Sequence, residues 1–267
     1  MGLTDLQLAV RRTGITASEL GAIMGLSAFS GPLEVWLNKM SMGEPVAMSS
    51  PMMLGAMLEE AISERIKKET GEDLIHATGL ASFGDIEGIH LGDGTFRSKK
   101  YPRLIVTPDY VSTERVAHEI KAVGRWSGAN AFSPPSASKP KYPAGYAIQV
   151  VAQVGTLGLD GGRLWALVQN SSIPDKEVQW LYNESLTNRE HFMWWARGYV
   201  SRQSLRSYEI PYTVEAFEEL GETATRFWVD HVETGRPDPA WRPVVRPESK
   251  VRPPEDGGWG DTPEGEF

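Results

Sequence analysis

A regular repeat of apolar positions predicts an amphipathic helix over residues 50–71. The apolar side chains recur at helical spacing and form one stripe, made up of Leu54, Leu58, Ala61, Ile62 and Ile66. Glu59 lies at the edge of that stripe, whereas Glu60 faces solvent. Gly55, one turn before Glu59, either leaves room for a ligand or allows close helix packing. The pattern therefore places a single half-buried acid on this helix.

Further helices are predicted over residues 16–25, 31–43, 146–159, 188–200 and 214–235, and strands over 72–123. Two more strands are predicted at residues 163–170 and 176–183, joined by a turn at Pro174-Asp175. Together these elements predict an α/β fold in which helices flank a central mixed β-sheet. We expect one domain over residues 1–240. Residues 241–267, rich in Pro, Gly and acid, are expected to be a disordered tail, for solubility or for partner docking.

Residues 106–123 carry most of the candidate chemistry. They are predicted as a hairpin whose second strand alternates, so that Glu119 and Lys121 share one face and His118 points to the other. Asp109 follows Pro108 near the first strand, and the hairpin can bring it beside Glu119. Two carboxylates and one ammonium in contact are typical of a divalent-metal site for phosphate chemistry.

Composition restricts the metal chemistry. The chain of 267 residues contains no cysteine, which excludes disulfides, thiolate zinc sites, iron–sulfur clusters and a cysteine nucleophile. Any metal must be held by Asp, Glu, His or carbonyl oxygens, which favours Mg²⁺ or Mn²⁺. The sequence shows no signal peptide and no apolar span of membrane length. We therefore expect a soluble cytoplasmic protein with no membrane partner.

The net charge of −8 is unevenly distributed. Residues 211–267 hold 6 basic and 13 acidic side chains, a net charge of −7, whereas residues 97–141 hold 9 basic and 3 acidic ones, a net charge of +6. A basic region beside an acidic metal site is compatible with binding a phosphate backbone. A solvated surface with an acidic tail explains the same numbers.

The N-terminal segment contains a candidate phosphate site. Thr16 and Glu19 have the spacing of a capping box, which predicts that a helix begins after Thr16. Ser18 lies in the first turn, and Arg11 or Arg12 lies just upstream. A hydroxyl and a guanidinium beside unpaired backbone N–H groups can bind phosphate. An ordinary capped helix with surface arginines is the alternative.

Two later features also have two explanations. A Pro- and Ser-rich loop over residues 124–145 either contacts a nucleic-acid strand or is a surface loop without a role; its candidate contacts are Arg125, Trp126, Lys139, Lys141 and Tyr142. On the following helix, Gln149 and Gln153 share a face among apolar residues. Each of these glutamines therefore needs a polar partner.

Taken together, four motifs in order resemble the PD-(D/E)XK nuclease superfamily, with its restriction-endonuclease-like core. They are G-x-x-x-E (Gly55, Glu59), P-D (Pro108, Asp109), E-x-K (Glu119, Lys121) and Gln149. The blocks RRTGITASELGAIMGLSAFSGPLEVWLNK, LGAMLEEAI, VTPDYV, HEIKAV, YAIQVVAQV and FWVDHVETGRPDP are similar to the YqaJ-type viral recombinase and lambda-exonuclease family, over roughly residues 8–240. One departure is Gln153, at a position where related nucleases of the RecB type have tyrosine.

The resemblance implies roles for individual residues. Asp109 and Glu119 would bind Mg²⁺ directly, with the Ile120 carbonyl as a further ligand, and Mn²⁺ is expected to substitute. The remaining implied roles are water-mediated metal binding for Glu59, orientation or deprotonation of the attacking water for Lys121, support of that lysine for Gln149, and 5′-phosphate binding for Arg11 and Ser18.

The resemblance also implies the activity. We expect a metal-dependent phage-type exonuclease that degrades one strand of linear duplex DNA 5′→3′ and exposes 3′ single strands for recombination. The implied partners are duplex DNA ends, a single-strand annealing protein and further copies of the chain in a trimeric ring. A structure-specific or nicking endonuclease on the same core is one alternative. A catalytically inactive DNA-binding scaffold is another.

Overall fold

A computed structural model of the chain describes residues 4–27, 29–43, 48–84, 86–124, 130–137, 141–171 and 173–244. Most of the predicted acidic tail, residues 245–267, lies outside these ranges. So do Arg125, Trp126 and Lys139 of the loop predicted to contact nucleic acid. Lys141 and Tyr142 are described; Tyr142 packs edge-on against Tyr208, with ring centroids 5.3 Å apart.

The helices of the described residues lie on both sides of the strands. Their bounds are α1 Asp5–Arg11, α2 Ala17–Ile23, α3 Pro32–Lys39, α4 Ser50–Thr70, α5 Ala144–Leu157, α6 Asp175–Thr187, α7 Arg189–Ser201 and α8 Val214–Phe227. A 3₁₀ turn (Ala77–Ser82) follows one strand, and a π-helical turn (Trp228–Val232) extends α8.

The described strands form two mixed sheets where one had been predicted. They are β1 Ile15–Thr16, β2 Leu74–His76, β3 Ile89–Gly92, β4 Thr95–Arg97, β5 Leu104–Val106, β6 Tyr110–Ser112, β7 Val116–Val123, β8 Gly161–Val168 and β9 Ser204–Glu209. The first sheet has the order β1-β5-β4-β3 and the second β2-β6-β7-β8-β9. β1 pairs parallel with β5, β7 pairs parallel with β8, and the remaining pairs are antiparallel. The mixed α/β class is as predicted.

The predicted hairpin over residues 106–123 spans both sheets. Val106 ends β5 in the first sheet, and β6 and β7 form the antiparallel pair in the second. Asp109 lies on the link between the sheets, directly before β6. The turn between β6 and β7 contains Arg115 at φ +62°. The link therefore leaves Asp109 at the end of a strand pair, with its side chain free to reach β7.

Residues 176–183 form part of α6, so the strand predicted there is wrong. The helix begins after Pro174, which has an extended backbone at the N-cap, and Asp175 lies in its acidic first turn. Val178 and Leu181 are buried three residues apart, whereas Trp180 is 51% exposed. This burial follows the helical period. The large side chains of this segment resemble a strand in sequence, but only one helical face of it reaches the core.

β7 separates two hydrophobic clusters. Ala117 faces the cluster that includes α5, and Ile120 faces the cluster that includes α4. Alternation along one strand therefore sends successive side chains toward α5 and toward α4. As predicted, Glu119 and Lys121 fall on the same side as Ala117.

His118 lies on the opposite face from Glu119 and is fully buried. Its Nδ1 accepts a hydrogen bond from Trp165 Nε1 at 2.9 Å, and its Nε2 lies 3.1 Å from Glu72 Oε2. Burial lowers the pKa of His118 to about 4, although Glu72 opposes that shift. The imidazole is thus a neutral structural group, which agrees with its predicted exclusion from the site.

The contact between α5 and α8 depends on a glycine. A Cβ at Gly155 would overlap the Phe217 ring of α8, whereas a Cβ at Gly198 in α7 would have Arg202 Nη1 as its nearest neighbour, at 3.7 Å. We predict that Gly155→Ala lowers the free energy of unfolding by about 1–3 kcal/mol, because overpacking displaces core side chains. Gly198→Ala, the matched control, should raise it by about 0.5–1 kcal/mol. Urea denaturation measures both values, and equal effects would contradict the close approach at Gly155.

Candidate active site

Asp109 is attached to the strand that carries the other candidate residues. The pairing of β6 with β7 ends at Tyr110 and His118, so Ile120 lies beyond the last paired residue of β6. Asp109 Oδ2 accepts a hydrogen bond from the Ile120 N–H at 2.7 Å. Because the N–H and C=O of one strand residue point to the same side, the Ile120 carbonyl also points toward this open edge. The predicted ligands Asp109 and Ile120 are therefore neighbours.

Glu119 is held from two directions. Lys121 Nζ donates to Glu119 Oε1, and Gln153 Nε2 on α5 donates to Oε2 at 2.6 Å. Lys121 also lies over the ring of Tyr146, 5.3 Å from its centroid, in a cation–π contact. The Glu119 side chain is 4% exposed and the Lys121 side chain 25%. Side chains of α5 thus hold both Glu119 and Lys121, and the lysine is the more exposed of the two.

Glu59 approaches the same group from α4. Burial raises the pKa of Glu59, and the negative charge of Glu119 raises it further. His76 Nε2 lies 3.9 Å from Glu59 Oε1 on the other side. A Cβ at Gly55 would meet only the Ala122 Cβ, at 4.0 Å, so helix packing does not require a glycine there. This favours the explanation that Gly55 keeps space open beside Glu59.

The pKa shifts of these groups reflect the balance of charge in the cluster. Burial, followed by the charges of Glu119 and Glu59, raises the pKa of Asp109 well above its usual value. Although burial opposes the charge of Lys121, the carboxylates of Glu119 and Asp109 raise its pKa. One ammonium faces three carboxylates, so the cluster lacks positive charge.

This donor set fits a hard divalent cation. Carboxylate and carbonyl oxygens are the ligands preferred by Mg²⁺ and Mn²⁺, and the raised pKa values of Asp109 and Glu59 mark a place where added positive charge is favourable. Among the described residues, no three Asp, Glu or His side chains already converge as a complete ligand set. Mg²⁺ needs few protein ligands because it retains several waters.

The two glutamines of α5 differ in their contacts. Gln153, whose partner the sequence did not identify, is 2% exposed and bonds to Glu119. Gln149 lies one turn earlier and is partly buried. Within the described residues, its amide makes no hydrogen bond to the acids, and its role stays a prediction. The signal for Gln153 was its position among apolar residues, but helix spacing alone could not say which glutamine reached β7.

Arg11 and Ser18 lie together, as a phosphate site requires. Arg11 Nη2 lies 3.3 Å from Ser18 Oγ and 3.4 Å from Thr16 Oγ1, and the two hydroxyl oxygens are 3.1 Å apart. Glu19 Oε2 accepts from the Thr16 N–H at 2.8 Å, which is the backbone half of the predicted capping box. Arg12 is exposed at the end of α1. Of the two arginines, Arg11 is the one beside the hydroxyls.

Helix α5 lies between α2 and the acids. Its first turn packs against the C-terminal half of α2, where a Cβ at Gly21 would lie 3.3 Å from the Gly145 Cα. The next residue, Tyr146, contacts Lys121, and Gln153 two turns later contacts Glu119. The helix that packs against α2, whose first turn carries Ser18, therefore also supports the candidate metal ligands.

Comparisons with known proteins agree with this arrangement. The sequence profile of the YqaJ-like viral recombinase domain matches residues 7–160. A search of curated protein sequences found no match. The fold is similar to the crystal structure of an alkaline exonuclease, LHK-Exo, from Laribacter hongkongensis, with a TM-score of 0.54, 14% identity, and coverage of 87% of this chain and 94% of that one. LHK-Exo in complex with dAMP gives the same TM-score and coverage at 16% identity.

A phage-related exonuclease from Haemophilus somnus 129PT matches with a TM-score of 0.50 and 12% identity, over 85% of this chain and 99% of that one. The fold is therefore the nuclease fold of the alkaline exonucleases. The profile match covers more than half of the chain, and the protein belongs to the family of YqaJ-like viral recombinases. None of the described helices combines the length and apolar character needed to cross a membrane.

The acid cluster can be tested through stability. We predict that Asp109→Asn leaves the melting temperature in EDTA unchanged or higher, because it removes a buried carboxylate while an amide oxygen can still accept from Ile120. The same variant should lose the Mg²⁺-induced stabilisation of the parent protein, about 2.7 kcal/mol at one hundred times the dissociation constant. Calorimetry with and without Mg²⁺ measures both effects. A large loss of stability in EDTA would mean that the charge of Asp109 is structural.

Proposed function

We propose that this protein is a Mg²⁺-dependent deoxyribonuclease that degrades one strand of linear duplex DNA 5′→3′ and leaves 3′ single strands for recombination by strand annealing. The observation that carries the proposal is the cluster of Asp109, Glu119 and Lys121 on neighbouring strand ends, with Glu59 beside it. Family membership supports a nuclease of recombination in general. The metal and the direction of degradation belong to the proposal.

Each residue of the cluster has a distinct task. A bound divalent cation supplies a nucleophile near neutral pH and neutralises charge on the phosphoryl oxygens. Asp109, Glu119 and the Ile120 carbonyl would hold that cation, and Mn²⁺ should replace Mg²⁺. Glu59, whose side chain is 30% exposed, would bind the cation through water. All of these candidate ligands bind through oxygen, as expected for a chain that lacks cysteine.

Lys121 acts on the substrate side of the cluster. Its ammonium is anchored by Glu119 and by the Tyr146 ring, yet 25% of the side chain is exposed. It can therefore donate a hydrogen bond to the attacking water or to a phosphoryl oxygen without leaving Glu119. Gln149, one turn from Gln153 on α5, would help to position the lysine and the scissile phosphate.

Arg11 and Ser18 give the proposal its direction. A guanidinium beside two hydroxyls offers charge-assisted hydrogen bonds to a terminal phosphate. A 5′-phosphate held there would direct the adjoining strand toward the acid cluster; the packing of α5 against both α2 and β7 supports this arrangement. The complex of LHK-Exo with dAMP is an example of nucleotide binding by a protein of the same fold.

The wider setting is also part of the proposal. We propose that the substrate is the end of a DNA duplex, that the chain works as a trimeric ring in the cytoplasm of a phage-infected cell, and that a single-strand annealing protein receives the product. A nicking endonuclease on the same core would need no DNA end. An inactive scaffold would not need the complete set of two acids and a lysine.

Cleavage of labelled DNA tests the activity. We expect the parent protein with Mg²⁺ to degrade linear duplexes, to spare covalently closed circles and to release nucleotides from the 5′ end. Lys121→Met should reduce the rate by about 10²–10⁴, the range for loss of a general acid–base group. The measurement is product release from duplexes labelled at either end.

The control for this experiment is EDTA, which should abolish cleavage by the parent protein. Degradation of circles as readily as linear DNA would favour the endonuclease. Release from the 3′ end would reverse the proposed direction. Full activity of Lys121→Met would remove the lysine from the site.

The two arginines allow a matched test of the phosphate pocket. We predict that the parent protein digests 5′-phosphorylated ends faster than 5′-hydroxyl ends, and that Arg11→Ala removes this preference by lowering kcat/KM on phosphorylated ends about 10- to 100-fold. Arg12→Ala, at the exposed neighbouring position, should keep the preference. Steady-state kinetics on the two kinds of end measure the effect. If Arg12→Ala and Arg11→Ala exchange these results, the pocket is built around Arg12.

A further inference from the structure

Gln153 is a buried polar side chain whose contacts the implied family roles do not explain. It is 2% exposed on the inner face of α5, between the apolar side chains of Val150 and Val154. Its Nε2 donates a hydrogen bond of 2.6 Å to Glu119 Oε2. Its Oε1 is buried and has no hydrogen-bond partner among the residues that the structure describes. Half of this amide is therefore satisfied and half is not.

Packing alone does not account for a glutamine here. A methionine or leucine at the same position would fill similar volume and remove the buried amide oxygen, but it would take from Glu119 Oε2 the hydrogen bond that Gln153 donates. The amide is oriented so that its NH₂ group, and not its oxygen, meets the carboxylate. The unsatisfied oxygen is the consequence of directing the NH₂ group toward Glu119. The side chain therefore serves Glu119.

The effect on Glu119 is to fix the plane of its carboxylate. The last torsion of a glutamate side chain is broad, so a carboxylate held at one oxygen can turn about its axis. Lys121 holds Oε1 and Gln153 holds Oε2, from the solvent side and from the core side respectively. With both oxygens held, the plane of the carboxylate is fixed, and each oxygen keeps a lone pair for a cation. An amide is suited to this task because it donates without adding positive charge that would compete with a cation.

We infer that Gln153 is a positioning residue that presents Glu119 to the divalent cation. The inference rests on the proposed function, because it assigns a task at the metal site proposed there. It gives the two glutamines of α5 different roles. Gln153 orients Glu119 from the core side, and Gln149 remains the candidate for a contact near Lys121. Partners that orient metal ligands typically contribute 10- to 100-fold in metal affinity or activity.

Direct metal binding by the full-length protein tests the inference. Mn²⁺ is titrated into the parent protein and into Gln153→Met while electron paramagnetic resonance reports the free ion. We expect the dissociation constant to rise about 10- to 100-fold in the variant. We also expect the Mg²⁺ concentration for half-maximal cleavage to rise by a similar factor, so that added Mg²⁺ restores much of the rate.

A second buried glutamine provides the matched control. Gln203 is 8% exposed, and among the described residues its side chain bonds to backbone groups alone: its Oε1 accepts from Asn170 N at 2.7 Å and its Nε2 donates to Tyr199 O at 3.2 Å. Gln203→Met should lower the melting temperature without changing the Mn²⁺ dissociation constant. A structural role for Gln153 would make the two variants behave alike.

A further variant covers the case in which Gln153→Met folds poorly. Gln153→Asn keeps the amide but shortens the side chain by one methylene, so that its NH₂ group falls short of Glu119 Oε2, and it too should weaken Mn²⁺ binding about tenfold. Melting curves in EDTA show whether each variant is folded.

The outcomes separate the inference from the proposed function. If the parent protein binds Mn²⁺ and cleaves DNA, but both Gln153 variants bind Mn²⁺ as tightly as it does, the inference alone is overturned. If the parent protein neither binds Mn²⁺ nor cleaves DNA, the proposed function fails and the inference fails with it. If Gln203→Met weakens Mn²⁺ binding as much as Gln153→Met does, the effect is general destabilisation.

Discussion

The burial of neighbouring carboxylates is the constraint on which this site depends. Glu59, Asp109 and Glu119 come close enough that each of the first two has a raised pKa, and burial is the larger cause in both cases. Such a group persists only if the surrounding structure holds it in place. One ammonium, one backbone N–H and one amide do so here, from Lys121, Ile120 and Gln153. The cluster still lacks positive charge, which a bound cation would supply.

Helix α5 carries much of that structural work. Its first turn lies against α2, the helix that carries Ser18, and its inner face lies against β7. On its far side Gly155 lets the Phe217 ring of α8 approach closely. A displacement of this helix would therefore disturb the phosphate candidate and the acid cluster together. Both parts of the proposed activity depend on the same packing.

The fold is shared with alkaline exonucleases whose sequences differ greatly from this one. Structures that are 12–16% identical share the fold over most of both chains. At that distance the backbone arrangement is preserved while most side chains differ. Gln153 stands at a position where likeness to nucleases of the RecB type would lead one to expect tyrosine. Contacts of individual residues must therefore be derived from this chain.

Local pattern was sufficient for much of the protein. Several features could be predicted from the sequence because each depends on neighbours along the chain. They are the apolar stripe of α4, the alternation that puts Glu119 and Lys121 on one face, the capping residues before α2 and the absence of cysteine. The strand predicted over residues 176–183 is wrong. Large apolar side chains are compatible with the period of a strand or of a helix, and only their burial in the fold distinguishes the two. The division of the strands into two sheets, the bond from Asp109 to Ile120 and the choice of Gln153 as the partner of Glu119 required the folded chain. These features join residues that are far apart in sequence, and periodicity carries no information about which distant elements meet.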